Sequence, residues 1–291
     1  MPELPEVETI VRGLQKKVQG RTFINVWTDF PKTIKLPGNF QKFKQEIKGR
    51  KVERVWRRGK NILFDLSGGK ILLIHQKLTG HLLFGKWELK KGKWQSQIKG
   101  PLTEDPMNKF LHLIFWLDNQ KQLALSDLRK FAKVELWERE ALKQSQGFND
   151  LGPEPLKKNF TLKKFKEVLR KKQGKIKEIL MDQKVLVGIG NIYSSEILWK
   201  AKINPFKGVL KLTEKEIKEI YLALKEILKK AVKLRGESFS DFRDIDGYRG
   251  SFDQYRKVYR RENEKCRRCG NKIKRLKVKG RSAYFCPKCQ K

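Results

Sequence analysis

The pattern of apolar and polar positions divides the chain into two halves of different character. In the first half, apolar residues recur at helical spacing from Pro5 to Val18 and stop before Gly20, which predicts a helix. Several short β-like runs separated by turn sequences then indicate a β-sandwich on which this helix packs. The strands are predicted at Thr22–Phe30, Lys51–Trp56, Asn61–Leu66, Ile71–His75, Phe110–Leu117, Leu123–Ser126 and Ala132–Trp137.

The second half is dominated by helical periodicity. Residues 144–160, rich in Gly, Pro and Asn, are typical of an interdomain linker. A polar loop is expected at Gly236–Ser251, and residues 86–109 are expected to be an irregular surface excursion. Helices are predicted at Leu162–Lys172, Ile176–Asp182, Asn191–Lys200 and Glu214–Leu234. The pattern predicts a two-domain α+β protein, divided into 1–143, the linker 144–160, a helical segment 161–262 and a cysteine segment 263–291.

Charge narrows the class of partner. The 291 residues include 68 Lys and Arg against 32 Asp and Glu, a formal net charge of +36. Such an excess indicates a polyanionic partner: nucleic acid, an acidic membrane face or acidic proteins. A thermophile-type charged surface is the alternative, but there Lys and Glu rise together, and here Lys rises alone. No apolar run reaches the roughly 18 residues of a membrane span, so we expect no membrane association.

Four cysteines predict a metal site near the end of the chain. Cys266 and Cys269, then Cys286 and Cys289, form two Cys-x2-Cys pairs with the spacing of a four-cysteine zinc ribbon. Four thiolates would close a tetrahedron around one ion, so the site is expected to be structural; zinc is favoured and iron remains an alternative. Confinement of the cysteines to this segment also favours a cytoplasmic protein without a disulfide framework.

Two further motifs could carry chemistry. Gly188–Asn191 precedes a helix, and such a glycine-rich turn suits a phosphate, although a merely structural turn is equally compatible. At the N-terminus, removal of Met1 would leave Pro2 with a secondary amine able to form an iminium with a sugar carbon. Glu3 beside it could move protons. Taken alone, this segment is better explained as the start of a helix.

Taken together, these motifs form a family pattern. MPELPEVETIVRGL, RRGKNILF, HQKLTG, LRKF, GPEPL, VGIGNIYSSEILWKAKINP, DGYRGSF and CRRCG followed by GRSAYFCPKCQ occur in this order. The chain resembles bacterial formamidopyrimidine-DNA glycosylases from end to end. The resemblance implies a helix plus β-sandwich lobe, a helix-two-turns-helix module and a zinc-finger β-hairpin, with duplex DNA bound between the lobes of a monomer. It also implies excision of 8-oxoguanine and formamidopyrimidines from flipped nucleotides, followed by β- and δ-elimination at the abasic site.

The resemblance also implies roles for individual residues. Pro2 matches the nucleophile and Glu3 the acid/base group, while Glu6 matches a residue near the lesion pocket. The stretch Gly236–Ser251 matches the segment that closes over the extruded base. The positions that match DNA-backbone contacts are Lys60, His75, Asn191, Tyr259 and Arg281.

Three side chains match those that fill the gap left by the flipped nucleotide. These are Leu78, Arg129 and Phe131, where the family usually has Met, Arg and Phe. Leu for Met preserves volume, so insertion should survive. Gln76-Lys77 in place of the usual Leu-Gly, and Leu128 in place of Pro, are departures that bear on the choice of opposite base more than on the chemistry.

Two other functions stay open at this point. Endonuclease VIII-like glycosylases share Pro2-Glu3 and the finger but remove oxidised pyrimidines; PELPEVE and Phe131 favour the purine enzyme. A DNA-binding protein without catalysis is the second alternative, and the joint presence of Pro2, Glu3, Lys60, Asn191 and Arg281 argues against it.

Overall fold

The computed structural model describes residues 1–238 and 242–291, which divide into two compact units. The first unit comprises Met1–Asn149 with Arg235–Ser251, and the second comprises Asp150–Leu234 with Phe252–Lys291. Residues 239–241, part of the loop expected at Gly236–Ser251, lie outside the described residues. Residues 235–251 thus group with the first unit, although they fall within the helical segment 161–262 of the sequence-based division. Across the described ranges, no helix is both long enough and apolar enough to cross a membrane.

The described residues of the first unit form two sheets, a small hairpin and four α-helices. Its helices are α1 (Leu4–Lys17), α2 (Phe40–Ile47), α3 (Arg139–Gln144) and α4 (Gln146–Asn149). Its strands are β1 (Phe23–Thr28), β2 (Ile34–Leu36), β3 (Val52–Arg58), β4 (Asn61–Leu66), β5 (Lys70–His75), β6 (Gly80–Gly85), β7 (Trp87–Lys90), β8 (Lys93–Ser96), β9 (Leu111–Leu117), β10 (Gln122–Asp127) and β11 (Lys133–Glu138). One sheet has the order β1-β9-β10-β6, the other β2-β11-β5-β4-β3, and β7 pairs with β8.

The core of this unit lies between the sheets and under α1. Pro5 occupies the first turn of α1, where a missing N–H costs nothing. The apolar face of α1 is buried, and α1 contacts β3 and β4. Phe23 of β1 packs against Phe64 of β4 at 6.5 Å and against Phe115 of β9 at 5.1 Å between ring centroids. The predicted helix and β-sandwich are confirmed.

Some elements were not predicted. The sequence pattern missed β2, α2 and β6, and residues 86–109 are more ordered than expected. This excursion contains the β7–β8 hairpin and a 3-10 turn at Pro106–Phe110, and it buries Trp87 and Leu102. The prediction of an irregular surface segment is therefore wrong for its two ends, because a few apolar side chains anchor a mainly polar sequence.

The second unit is helical and ends in a β-hairpin. Its helices are α5 (Leu162–Arg170), α6 (Ile176–Met181), α7 (Asn191–Lys200) and α8 (Glu214–Lys233), and its strands are β12 (Lys274–Val278) and β13 (Arg281–Phe285). Thr213 and Glu216 cap α8 reciprocally, a signal that fixes where the helix begins. Helix α7 packs against α6, α8 and β13 and so joins the helical part of the unit to the hairpin. The predicted helices and hairpin are confirmed.

Candidate functional site

The N-terminus of α1 is held in place by one buried carboxylate. Glu6 accepts a hydrogen bond from the Glu3 backbone N–H on Oε2 at 2.7 Å and from the Glu237 N–H on Oε1 at 2.8 Å. Glu3 and Glu6 are 2% and 1% exposed, and Pro2 is buried beside the exposed Met1. Because Glu6 fixes the backbone directly after Pro2, the nitrogen of residue 2 has a defined position. Removal of Met1 would convert this nitrogen into an N-terminal amine beside a buried carboxylate, a pair suited to nucleophilic attack and proton transfer.

Lys60 lies in the tight turn between β3 and β4. Gly59 has φ +58, a left-handed conformation that favours glycine, and Lys60 is only 8% exposed. Three residues earlier, Arg57 binds Glu8 of α1 at 2.7 Å between Nε and Oε2, which ties this hairpin to the helix. Burial would raise the pKa of Glu8, but Arg57 and Arg12 outweigh it and hold that pKa below its usual value.

His75 is fixed as a neutral ring at the end of β5. Its Nδ1 accepts the Lys77 backbone N–H at 3.0 Å, which places the ring proton on Nε2. Burial, then the charges of Lys77, Lys133 and Lys60, lower the pKa of His75 to about 3. A neutral imidazole with an Nε2–H donor suits a phosphate oxygen, because it supplies a hydrogen bond without the cost of a buried charge.

Asp127 organises two loops that present exposed side chains. Its Oδ1 accepts the Thr79 hydroxyl at 2.5 Å and lies 3.3 Å from the Arg129 N–H, while Oδ2 accepts the Ala132 N–H at 2.7 Å. Phe131 is half exposed, and the Arg129 guanidinium lies over its ring at 4.6 Å. Leu78, next to Thr79, is 39% exposed. The structure thus links the loops that bear the three predicted gap-filling residues.

In the second unit, the start of α7 is built over a buried lysine. Lys177 donates from Nζ to the hydroxyls of Ser194 at 2.9 Å and Ser195 at 2.8 Å, and reaches the Asn191 carbonyl at 3.4 Å. Its side chain is 1% exposed. Asn191 is the first residue of α7, and within residues 1–238 and 242–291 its buried Oδ1 has no hydrogen-bond partner. A cation at the positive end of a helix leaves this region strongly attractive to an anion.

The turn before α7 is rigid. Gly188 has φ +86, and its N–H donates to Gln183 Oε1 at 2.8 Å. Gln183 in turn donates from Nε2 to the Ile189 carbonyl at 2.8 Å. The Gly-Ile-Gly-Asn sequence is therefore a braced turn that opens a helix, as its composition predicts.

Arg281 begins β13 at the tip of the C-terminal hairpin. It is exposed and lines a cavity of about 210 Å³ together with Lys177, Met181 and Asp182. Lys279, at the same tip, forms an ion pair with Glu178 of α6 at 3.4 Å. Lys177 contacts the Asn191 carbonyl and also lines this cavity, so the second unit brings the predicted residues Asn191 and Arg281 to one basic region.

Tyr259 lies just before the hairpin, in a segment held by a buried glutamate. Glu196 of α7 accepts the backbone N–H groups of Lys257, Val258 and Tyr259 at 2.9, 3.0 and 2.8 Å. The Tyr259 ring packs on Tyr284 at 5.2 Å between centroids. Sequence reasoning missed Glu196, Lys177 and Asp127, because their partners are set by the fold and no local motif marks them.

The four cysteine sulfurs form a cluster that fits zinc. All lie within 4.8 Å of one another, with Cys266 and Cys289 at 4.0 Å and Cys269 and Cys286 at 3.5 Å between Sγ atoms. Zn–S bonds of about 2.3 Å in a tetrahedron require sulfurs about 3.8 Å apart. Against the effect of burial, hydrogen bonds from Trp199 Nε1 and backbone N–H groups lower the pKa of Cys266 to about 6. The predicted structural zinc site, one ion per chain, is confirmed.

Comparison with known proteins gives one consistent family. The family models that match are the formamidopyrimidine-DNA glycosylase N-terminal domain at residues 1–134, the H2TH domain of the same enzymes at 151–243, and the zinc finger found in FPG and IleRS at 263–291. The formamidopyrimidine-DNA glycosylase of Pelotomaculum thermopropionicum is 39% identical over 100% of this chain and 99% of its own. That of Desulforamulus reducens is 38% identical over the same shares.

Solved structures agree with the sequence comparisons. A complex between a point mutant of the Lactococcus lactis FPG and DNA containing Fapy-dG has a TM-score of 0.86 at 34% identity, with both chains covered completely. A complex of the Lactococcus lactis protein with abasic-site DNA has the same TM-score and identity over 99% of both chains. The wild-type Lactococcus lactis protein bound to DNA containing an oxidised pyrimidine has a TM-score of 0.85 at 34% identity over both full chains.

Proposed function

Because the chain belongs to the formamidopyrimidine-DNA glycosylase family, it is a DNA repair glycosylase that acts on oxidised lesions, and we propose how its own residues carry out that reaction. Its substrate is duplex DNA containing 8-oxoguanine or a formamidopyrimidine, and its second activity is cleavage of the abasic site. The observation that carries the residue assignment is the buried start of α1, where Pro2 and Glu3 lie beside the Glu6 carboxylate.

Pro2 is the nucleophile once Met1 has been removed. Its neutral secondary amine attacks C1′, the bond from C1′ to the base breaks, and the base leaves with the bonding electrons. The proline nitrogen then loses its proton to water, and its lone pair expels O4′ as Glu3 protonates that oxygen, which leaves an iminium between the proline nitrogen and C1′. Deprotonation at C2′ expels the 3′ phosphate, and a second elimination expels the 5′ phosphate. Hydrolysis of the iminium restores the free amine.

The flipped nucleotide is held by contacts to its phosphates. In the first unit, Lys60 supplies a charge and His75 a neutral Nε2–H donor. In the second unit, Asn191 and Arg281 act at the basic region over Lys177, and Tyr259 contributes beside the hairpin. Such contacts position the duplex without reading its sequence.

Leu78, Arg129 and Phe131 fill the gap in the duplex. They lie on the two loops joined by Asp127, so they enter the base stack as one group. Phe131 wedges the stack, at a cost of a few kcal/mol of unstacking. Arg129 donates to the base left without a partner.

The functional modules follow the sequence-based division. We assign catalysis to 1–143, a linker to 144–160, helix-two-turns-helix DNA binding to 161–262 and the finger to 263–291, with 235–251 packed as part of the first unit. The enzyme acts as a monomer on one duplex, in the cytoplasm, where its DNA is found.

Borohydride trapping tests this function. With a duplex containing one 8-oxoguanine opposite cytosine, the enzyme should nick the strand, leave phosphate at both ends and become covalently attached to DNA on reduction. Pro2→Gly should abolish efficient trapping, while Pro31→Gly, the same change at an exposed turn, should leave it intact. Trapping by Pro2→Gly as efficient as that by the wild type would show that the secondary amine of Pro2 is not required.

A second substrate tests which class of lesion the enzyme removes. A matched duplex with thymine glycol should be processed more slowly than the 8-oxoguanine duplex. The reverse order would favour an endonuclease VIII-like specificity. The Lactococcus lactis relative has been crystallised with DNA containing an oxidised pyrimidine, so both substrates are needed. Binding without trapping on either duplex would favour a DNA-binding protein without catalysis.

A further inference from the structure

We propose that the excursion, residues 86–109, positions residues 242–251 and, through them, residues 236–238 on the Glu6 side of the lesion pocket, and so controls how firmly the extruded base is held. The proposal rests on the function proposed above. It concerns described residues of the first unit, which are the excursion, residues 236–238 and residues 242–251.

The excursion is itself rigidly attached to the β-sandwich. Trp87, 3% exposed, donates from Nε1 to Asn108 Oδ1 at 3.0 Å, and Asn108 donates from Nδ2 to the Leu102 carbonyl at 2.8 Å. Ser126 of β10 donates from its hydroxyl to the Met107 carbonyl at 2.8 Å. The segment that carries Leu102 and Asp105 is therefore a fixed platform and not a free surface loop.

Asp105 connects this platform to the 236–251 loop. Its Oδ2 lies 2.9 Å from Arg243 Nε, and the Asp105 side chain is 1% exposed. The two side chains therefore form an ion pair that is largely removed from solvent. Removing one partner of a buried ion pair leaves the other charge uncompensated, so the pair constrains where Arg243 can lie.

A close apolar contact lies beside the ion pair. Gly247 has φ +87, and a Cβ built on it would lie 2.8 Å from Leu102 Cδ2. Leu102 itself is 1% exposed. Glycine at this position lets the loop backbone approach the excursion, so the two segments fit each other at an apolar as well as at a charged contact.

The same loop reaches the candidate active site at its other end. Glu237 donates its N–H to Glu6 Oε1, and a Cβ on Gly236 would lie 2.5 Å from that oxygen. Ser238 joins the two limbs, because its hydroxyl donates to the Phe242 carbonyl at 2.9 Å and accepts the Gly250 N–H at 2.7 Å. A continuous set of contacts therefore runs from the excursion through the loop to Glu6.

If the excursion positions the loop, weakening the contact between them should affect base excision and abasic-site cleavage differently. Excision requires the extruded base to be held in register with C1′, whereas a preformed abasic site has no base to hold. Small displacements of a bound group slow a reaction strongly. Weakening the contact between excursion and loop should therefore slow the first activity and spare the second.

Asp105→Asn tests the contact between the excursion and the loop, because it removes the charge of the side chain and hardly changes its shape. Asn keeps the oxygen that accepts the Met107 N–H at 2.9 Å, so the excursion should stay folded while the charge facing Arg243 is lost. We expect single-turnover excision of 8-oxoguanine to fall by about tenfold and cleavage of a preformed abasic site to stay within about twofold. Glu88→Gln is the matched control, because it neutralises an exposed carboxylate of the same excursion and should change neither rate.

Hydrogen exchange gives a readout independent of catalysis. Asp105→Asn should exchange faster than the wild type at the amides of 242–250, with no change in Glu88→Gln. Unchanged excision and exchange in Asp105→Asn would overturn the proposal, as would an equal loss of both activities with a lowered melting temperature. A wild-type protein inactive on both substrates would refute the proposed function, while the exchange result would still decide whether the excursion holds the loop.

Discussion

Gln76 and Lys77, in the turn after β5, adopt arrangements that cost free energy. Gln76 is 2% exposed, and among the described residues neither its side-chain oxygen nor its nitrogen has a hydrogen-bond partner. Lys77 has φ +55, a conformation that costs a residue with a Cβ about 1–2 kcal/mol. Leu-Gly, the pair that the resemblance leads one to expect here, would avoid both costs. The turn that carries Leu78 is thus held against local preference, as is common near functional sites.

Replacing the buried amide should stabilise the protein. Gln76→Leu removes two unpaired polar atoms with little change in volume, so we expect the free energy of unfolding to rise by about 1–2 kcal/mol in urea titration. Gln95→Leu, at an exposed position of β8, is the control and should have little effect. A lower stability for Gln76→Leu would show that the amide makes a stabilising interaction in solution.

His75 should make stability depend on pH in the acidic range. Its pKa in the folded protein is about 3, below the ordinary 6.5, so the unfolded chain binds the proton more readily. The contribution of His75 to the free energy of unfolding is therefore fully present above pH 6.5. It is lost as the pH falls toward 3, by at most about 1.4 kcal/mol per pH unit for one proton. Denaturation curves of His75→Gln between these limits should show a shallower dependence than the wild type. Parallel curves would contradict the assignment of a neutral, buried ring.

Among the strands and helices, the sequence predicted those whose pattern is local. The short apolar run in 61–66 forms a strand that is buried on both faces, and the helical repeat in 214–233 forms a helix that is buried along one face. Strand β6 was missed because glycine begins and ends it and His81 interrupts the apolar run. The excursion was misjudged because two anchors, Trp87 and Leu102, decide its conformation within a polar sequence.

In the candidate site, too, residues that belong to local motifs could be predicted and residues whose partners are set by the fold could not. Pro2, Glu3 and the cysteines belong to short motifs and could be named from the sequence. Glu196 could not, because its partners are backbone N–H groups more than 60 residues away. Burial raises its pKa, and the three N–H groups oppose that rise. A side chain of this kind fixes an element in place without leaving a pattern along the chain.

Glu196→Gln should loosen the segment that leads into the finger. An amide cannot accept at both positions, so at least one backbone N–H loses its partner, and we expect a loss of about 1–3 kcal/mol in unfolding free energy. Transfer of zinc from the protein to a coloured chelator should also become faster. Glu219→Gln, an exposed change on α8, should alter neither quantity. Equal zinc transfer in both variants would show that Glu196 does not support the finger.

For the whole molecule, the net charge of +36 exceeds what the assigned contacts use. Specific roles are proposed above for Lys60, Arg129 and Arg281, and we propose that the remaining cations supply affinity for any duplex. This affinity comes mainly from release of the ions condensed on DNA, so it favours a search along undamaged DNA.

Salt titrations should separate the general from the specific contribution. The logarithm of the binding constant for undamaged duplex should fall linearly with the logarithm of salt concentration, by about 0.9 per phosphate neutralised. On a duplex that contains an abasic site, Arg281→Gln should reduce the corresponding slope by about one, whereas Arg170→Gln, at an exposed residue paired with Glu214, should leave it unchanged. A wild-type slope near zero would mean that the charge serves a role other than DNA binding.

The division of the first unit between two stretches of chain has a consequence for synthesis. Phe242 and Ile245 belong to the core of that unit, and Ile245 packs where Gly13 leaves no room for a Cβ. A nascent chain must therefore emerge beyond residue 245 before the β-sandwich can close its core, by which time α5 to α8 have already been made. Until then, apolar surface that the finished protein buries is open to chaperones and to other nascent chains. The ribosome therefore begins the first unit before the second, but the first unit cannot finish folding until most of the second has been made.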